Sequence, residues 1–239
     1  MYNIRYGAGI GSRFHLPLPY AGYLKRSAAN FEQISTFIHD ISPDIVGLVE
    51  VDTGSFRADN CCQAESLARQ LGYNHVTESK YREGSMVQRV PVLCNQGNAI
   101  LARPEIVEHR FHFFKQGVKR LVIEARTEEV TVFLVHLSLT YRNRQHQLEQ
   151  LFRMVRRVRG SLIVAGDFNV LWGERELELF LAASGLRNAN NKGAPSHPSR
   201  APKRQLDYIL HSPDLAIKDF FIPQVTFSDH SPLVCDFTK

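Results

Sequence analysis

The segment 161–169, SLIVAGDFN, constrains the fold more than any other part of the chain. A run of β-branched and small apolar residues, closed by Gly166, ends in the polar residues Asp167 and Asn169. Such a run is typical of a strand buried on both faces, which requires a sheet covered by helices. Side chains two apart on an extended chain point the same way, so we expect Asp167 and Asn169 to converge while Phe168 faces the other side.

Helical and extended patterns alternate along the rest of the chain. Helices are predicted over 27–41 behind a Ser27 cap, and over 63–72, 142–160 and 174–184. Strands are predicted over 45–50, 97–102, 106–114, 119–126, 130–139, 161–169, 204–211, 215–222 and 231–237. The strands between 97 and 139 resemble an antiparallel series. The alternation predicts an α/β protein, with 1–239 as a single domain.

Composition narrows the class of protein. The chain has a net charge of +5, which weakly favours an anionic partner. It has neither a transmembrane segment nor a signal peptide pattern, and its four cysteines have no metal or disulfide spacing, so we expect reduced thiols in a cytoplasmic protein. The opening YNI resembles the middle of a strand, which predicts a very short first strand or a chain that begins upstream.

Polar residues recur at the ends of the apolar runs. A single Asp or His beside a strand is more often structural, but several at strand ends of one chain favour a shared cleft. Carboxylates suit Mg²⁺ or Mn²⁺, and imidazoles can move protons, so the set predicts metal-assisted attack on phosphate. Zinc and serine-triad sites are disfavoured because HExxH and GxSxG are absent. The residues are Glu50, His136, Asp167, Asn169, Asp207, Asp229 and His230.

Seven motifs together carry a resemblance to a known family. MYNIR, GLVEVD, QGNAIL, VHLSL, VAGDFN, RQLDYIL and SDHSPL follow the order of the endonuclease/exonuclease/phosphatase superfamily, to which deoxyribonuclease I belongs. The resemblance covers almost the whole chain. It implies a four-layered α/β sandwich of two mixed β-sheets with outer helices, with the active cleft at one edge.

The resemblance also implies roles for individual residues. Glu50 resembles the direct Mg²⁺ or Mn²⁺ ligand, with Asn3 and Asp229 on the metal side. Asp167 and Asn169 resemble the pair that orients the attacking water. The other implied catalytic residues are His136, which assists the leaving group or a phosphate oxygen, and His230, a base or charge stabiliser that Asp207 orients.

The sequence leaves two substrate classes open. A phosphodiesterase, with nucleic acid as one candidate partner, is supported by basic loops that include Arg13, Arg200 and Arg204. A hydrolase of small phosphoesters or phospholipid head groups, similar to sphingomyelinases or inositol phosphatases, is the alternative; aromatic residues 14, 20 and 23 support it. A monomer is expected in either case.

Overall fold

The computed structural model describes residues 1–10, 27–81 and 93–239. Its helices are α1 (Ala28–Ile41), α2 (Gln63–Leu71), α3 (Tyr141–Val155) and α4 (Glu178–Ser184). Its strands are β1 (Tyr2–Asn3), β2 (Ile45–Asp52), β3 (Asn74–Ser79), β4 (Gln96–Ala102), β5 (Glu108–Phe113), β6 (Leu121–Arg126), β7 (Thr131–His136), β8 (Leu162–Asp167), β9 (Arg187–Asn188), β10 (Asp207–His211), β11 (Ala216–Phe221) and β12 (Val234–Thr238).

Two mixed sheets form the centre of the molecule. One has the order β1-β2-β4-β3 and the other β5-β6-β7-β8-β10-β9, while β11 and β12 form a separate pair. Val49 and Ile100 of the first sheet share a core with Leu134 and Ile163 of the second, so the sheets pack face to face. Each sheet buries its other face under helices, α1 and α2 on the first and α3 and α4 on the second. The predicted four-layered sandwich is confirmed.

Local sequence explains most of the elements. Phe31, Ile34 and Ile38 are buried at helical spacing on α1, and α2 ends where Gly72 adopts the left-handed conformation. Ser27 stands at the predicted cap position, but its hydroxyl donates to the Arg57 carbonyl instead of accepting from the helix.

Several elements differ from the prediction, and three of them bear on the sheets or on the segment after β8. β3 was not predicted, because NHVTES is polar; it lies at the edge of its sheet and buries only Val76. β4 pairs with β2 and β3 in the first sheet and does not continue the antiparallel series of β5, β6 and β7. The helix predicted from 174 begins as a 3-10 turn, Glu174–Glu176, and becomes α-helical at Glu178.

Within the described ranges, no helix combines the length and apolarity that a membrane crossing needs. The four cysteines are free thiols.

Candidate active site

Three adjacent strands bring predicted site residues into one row. β7 runs parallel to β8 with His136 opposite Asp167, and β10 runs antiparallel to β8 with Asp207 opposite Asp167. β7 and β8 approach closely at Gly166, where an added Cβ would lie 1.9 Å from the Val135 carbonyl oxygen. The close packing of these strands depends on that glycine, whose φ of +153° also disfavours a side chain.

Asp167 is the centre of the cluster. Its Oδ2 accepts a hydrogen bond of 3.1 Å from Asn3 Nδ2 and lies 3.2 Å from His136 Nε2 and 3.9 Å from His230 Nε2. Burial by itself raises the pKa of the Asp167 carboxyl, but the two histidines lower it well below its usual range. Asp167 is therefore a buried carboxylate that stays ionised.

Asn169 reaches the cluster by a turn. Its φ is +51°, so the extended strand does not continue to this residue. Its backbone N–H donates to Asp167 Oδ1 at 3.0 Å, and its side-chain Nδ2 donates to the Leu137 carbonyl at 2.9 Å. Phe168 points into the core against Tyr208, as alternation predicts.

His230 and Asp207 form a buried pair. His230 Nδ1 lies 2.8 Å from Asp207 Oδ2, which also accepts a 2.6 Å hydrogen bond from Ser196 Oγ. Burial alone lowers the pKa of His230, but the carboxylates of Asp207 and Asp167 raise it to about 10. His230 is thus an imidazolium at neutral pH, with Nε2 directed toward Asp167.

Glu50 lies across the cleft, on the facing sheet. It sits at a bulge in the pairing of β2 with β4, with φ +59°, and its N–H donates to Asn98 Oδ1 at 3.2 Å. The Glu50 Oε1 atom is 3.9 Å from Lys80 Nζ and 3.8 Å from Lys119 Nζ. Burial raises the pKa of the Glu50 carboxyl, but the two lysines lower it to a net value of about 2.

Lys80 and Lys119 are site residues that sequence reasoning missed. Lys80 is buried and donates to the Tyr6 hydroxyl at 2.9 Å; burial, opposed by Glu50, lowers its pKa to about 8. Lys119 Nζ contacts His136 Nε2. Lys80 follows the unpredicted strand β3 and Lys119 precedes β6, so neither showed a recognisable motif.

His136 is a neutral imidazole in this setting. Burial and the charge of Lys119 lower its pKa to about 4, against the opposing effect of Asp167. Among the described residues, no group hydrogen-bonds its buried Nδ1.

The neighbours of Asp229 differ from those of Glu50. Its carboxylate lies 3.7 Å from Arg5 Nε, and with His197 and His230 it forms a set of donor atoms within 4.8 Å of one another. The rings of His197 and His230 are 4.7 Å apart between centroids. His197 is a third residue at the site, after Lys80 and Lys119, that no sequence motif predicted.

The predicted basic residues lie outside this cluster or outside the described ranges. Arg200 is exposed and donates to the Ile10 carbonyl at 3.2 Å. Arg204 is exposed, and its backbone pairs with His197. Arg13 lies outside the described residues, as do the aromatic positions 14, 20 and 23.

Gln147 of α3 organises the loops at this edge. It is fully buried; its Oε1 accepts from Ser138 N at 2.9 Å, and its Nε2 donates to the carbonyls of Gln116 at 2.9 Å and Lys119 at 2.7 Å. One amide therefore fixes the segment that carries Lys119 to the loop that follows β7.

The donor set fits a hard divalent cation. The Glu50 carboxylate is ionised and 14% exposed, and it accepts no hydrogen bond within the described part of the chain. Lys80, Lys119 and His136 all lie beyond 3.5 Å from its Oε1 atom. Mg²⁺ characteristically binds through one or two carboxylates and keeps several waters. Glu50 is therefore the residue best placed to hold such an ion, with Asn3 and Asp167 nearby.

Comparison with known proteins agrees with this geometry. A family model described as "Endonuclease/Exonuclease/phosphatase family" matches residues 2–230. The chain belongs to this family. Members of the family hydrolyse phosphoester bonds, which is the chemistry that the carboxylate and imidazole cluster favours.

Individual relatives are more distant. A UPF0294 protein of Yersinia enterocolitica is 31% identical over 108 residues, which are 45% of this chain and only 41% of that protein. The chain therefore spans less than half the length of that relative.

Two solved structures show the same fold. The mannosyl-6-phosphatase Bt3783 of Bacteroides thetaiotaomicron has a TM-score of 0.72 at 17% identity, over 100% of this chain and 98% of that chain. The 3′ phosphatase NExo of Neisseria, bound to a product DNA hairpin, has a TM-score of 0.65 at 17% identity, over 88% and 95%.

Proposed function

We propose that the protein is a metal-dependent phosphoester hydrolase that cleaves a phosphodiester by in-line attack of water. The observation that carries the proposal is the contact set of Asp167, whose Oδ2 lies within 3.9 Å of Asn3, His136 and His230. In such a pair, the ionised carboxylate can orient a water molecule, and the positively charged imidazolium can stabilise the negative charge on the phosphate oxygens.

The charge states suggest a role for each group. Asp167 and Asn169 orient the attacking water, whose oxygen bonds to phosphorus as the bond to the leaving oxygen breaks. The proton that this water loses passes by way of the Asp167 carboxylate to bulk water. His230, charged by its pKa of about 10, stabilises the phosphoryl oxygens and does not act as the base. Lys80, with a pKa of about 8, is a source of the proton that the leaving oxygen requires.

Glu50 is the proposed metal ligand, with Asn3 and Asp229 as further candidates. Mg²⁺ or Mn²⁺, when bound, supplies positive charge that polarises a phosphoryl oxygen. His136, neutral and in contact with Asp167, keeps that carboxylate oriented.

A second candidate function is hydrolysis of small phosphate monoesters. It is favoured by Lys80 and Lys119, which lie 3.9 and 3.8 Å from the Glu50 carboxylate. A monoester dianion carries more charge than a diester, so three cationic groups in one cleft, His230 included, suit it well. The two similar solved structures, of Bacteroides thetaiotaomicron and Neisseria, are both named as phosphatases, which supports the same candidate.

Turnover of bis-p-nitrophenyl phosphate and of p-nitrophenyl phosphate, each with Mg²⁺, Mn²⁺ or excess chelator, tests both candidates. We expect activity that requires the metal, and Glu50→Gln should lower metal affinity and turnover together. Glu105→Gln, at an exposed position, is the matched control. Undiminished activity in chelator would overturn the metal-dependent mechanism, and the preferred ester identifies the substrate class.

If the substrate is a nucleic acid, its binding to the protein should weaken steeply as the salt concentration rises, because each neutralised phosphate releases counterions. Charge reversal at Arg200 and Arg204, which we propose as substrate-binding residues, should flatten that slope. Salt-insensitive turnover with no retention of DNA would instead favour a small phosphoester.

We further propose that residues 1–239 act as one domain and as a monomer in the cytoplasm. The core shared by both sheets supports a single domain, and four free thiols suit a reducing compartment.

A further inference from the structure

Two loops that leave the site strands expose large apolar side chains. Leu139 and Tyr141 follow β7 and are 59% and 55% exposed, and Leu171 and Trp172 follow β8 and are 40% and 76% exposed. We call these four residues the apolar shelf. Large apolar groups gathered on the surface commonly mark a binding site, and tryptophan and tyrosine are the residues most enriched at such sites.

A buried ion pair ties the two loops together. Arg144 of α3 is fully buried and donates to the carbonyl oxygens of Ser138 at 2.9 Å and Leu139 at 2.7 Å. Its Nε donates to Glu176 Oε2 at 2.9 Å, and Glu176 Oε1 accepts from Trp172 N at 2.8 Å. Removing either partner would leave a buried charge without its counter-charge, which is costly. The ion pair and its hydrogen bonds therefore hold the loop after β7 and the loop after β8 in one arrangement.

The apolar shelf lies close to the reacting groups. Leu137 N donates to the Asp167 carbonyl at 2.8 Å, and Asn169 Nδ2 donates to the Leu137 carbonyl, so the two loops are joined where they begin. Trp172 lies three residues beyond Asn169, and three residues reach at most ~10 Å. A substrate whose phosphate lies at Asp167 would therefore place its next chemical group near the shelf.

Charges interrupt the apolar surface. Arg142 follows Tyr141 directly, and Glu174 and Arg175 come just after Trp172; all three are exposed. Charged groups among the rings disfavour insertion into hydrocarbon, because a charge loses its hydration there. Aromatic rings interleaved with arginine are typical of sites that stack bases and attract phosphates.

We propose that Tyr141 and Trp172 form a stacking subsite for a nucleobase of the substrate. The inference rests on the proposed phosphoester hydrolase function and narrows its substrate to nucleotides or single-stranded nucleic acid. The phosphate lies in the cleft, and the base lies against the rings of the apolar shelf.

Trp172 gives a direct binding signal, because it is the chain's only tryptophan. In chelator, which prevents turnover, we expect deoxyadenosine monophosphate to quench its emission with saturation. Tyr141→Ala should raise the Kd about 5- to 150-fold, the range that corresponds to loss of one stacked base. Leu179→Ala, at a 79% exposed position on α4, should leave it unchanged.

Two further probes can overturn the proposal. Glycerol phosphate carries the phosphate without a base, and equal affinity for it would show that the base is not recognised. A blue shift with anionic phosphatidylglycerol vesicles, together with no response to the nucleotide, would show that the apolar shelf binds a lipid surface.

A kinetic comparison separates the subsite from the catalytic groups. With Mg²⁺, Trp172→Ala should lower kcat/KM for the p-nitrophenyl ester of thymidine monophosphate about 5- to 150-fold, by loss of one stacked base. The kcat/KM for methyl p-nitrophenyl phosphate, which lacks the base, should be unaffected by Trp172→Ala. Trp172→Phe should retain most of the kcat/KM for the thymidine ester. Equal losses on both esters would refute the subsite. If neither ester is hydrolysed, the proposed function fails, and the fluorescence titration still decides the subsite.

Discussion

Replacing Asp207 with asparagine is expected to remove the charge of His230. The pKa of His230 is about 10 against an ordinary value of 6.5, although burial lowers it. This gap corresponds to about 5 kcal/mol of preference for the imidazolium, since each pKa unit is worth about 1.36 kcal/mol. Asp207, at 2.8 Å, is the strongest of the charges that raise this pKa. In Asp207→Asn, burial should prevail, and the pKa should fall to 6.5 or below.

The assay is a histidine ring titration by nuclear magnetic resonance between pH 5.5 and 8.5, in chelator. The His230 signal should stay constant in the natural protein and titrate in the Asp207→Asn variant. Turnover should fall by about two to four decades, as for other charge-stabilising groups, and adding His230→Ala should cost little more. Asp44→Asn, in an exposed ion pair, is the control.

The same pair predicts a dependence of stability on pH. The pKa of His230 is higher in the folded protein than its ordinary value of 6.5, so protonation of His230 stabilises the fold. This contribution is complete below pH 6.5 and declines as the pH rises through about 10. The decline should be absent in Asp207→Asn. A His230 that remains charged in this variant up to pH 8.5, or a loss of turnover below tenfold in folded protein, would refute the reasoning.

Three further outcomes are expected. In chelator, the free energy of unfolding should fall between pH 6.5 and 4, because the unfolded chain binds a proton that buried His136, with a pKa of about 4, does not. His136 should contribute up to about 3 kcal/mol of this fall, and His136→Gln should reduce the slope in urea unfolding by that amount. Gln147→Leu should raise the KM for phosphoesters by displacing Lys119, whereas a lower Tm with unchanged KM would show a structural role alone. Glu176→Gln, which removes the partner of a buried arginine, should cost about 3 to 5 kcal/mol, and Glu149→Gln in an exposed pair less than about 1 kcal/mol.

Local pattern was sufficient for the strands that carry the row of site residues. The apolar run before Asp167 and the extended segment at Asp207 both fold as predicted, and the predicted contact between Asp207 and His230 is present at 2.8 Å. Asn169 meets Asp167 through its backbone N–H and not through the predicted strand alternation, because it adopts a positive φ that strand periodicity does not reveal.

Contacts between the two sheets cannot be predicted from local sequence patterns. Glu50 meets Lys119 because β2 faces the second sheet, and the alignment of two packed sheets depends on side-chain packing over the whole core. Lys80 was missed for a related reason, since the polar edge strand before it has no apolar alternation. The grouping of Asp229 with His197 likewise depends on the path of a long loop.

The pairing of His136, Asp167 and Asp207 along one row limits how the protein can change in length. Inserting one residue into β7 or β10 would turn His136 or Asp207 to the opposite face, where it would be a polar group in an apolar core. Insertions in the connecting loops leave the row unchanged. Strand lengths near the site are therefore fixed by the chemistry, and new substrate preferences have to arise from loops of altered length.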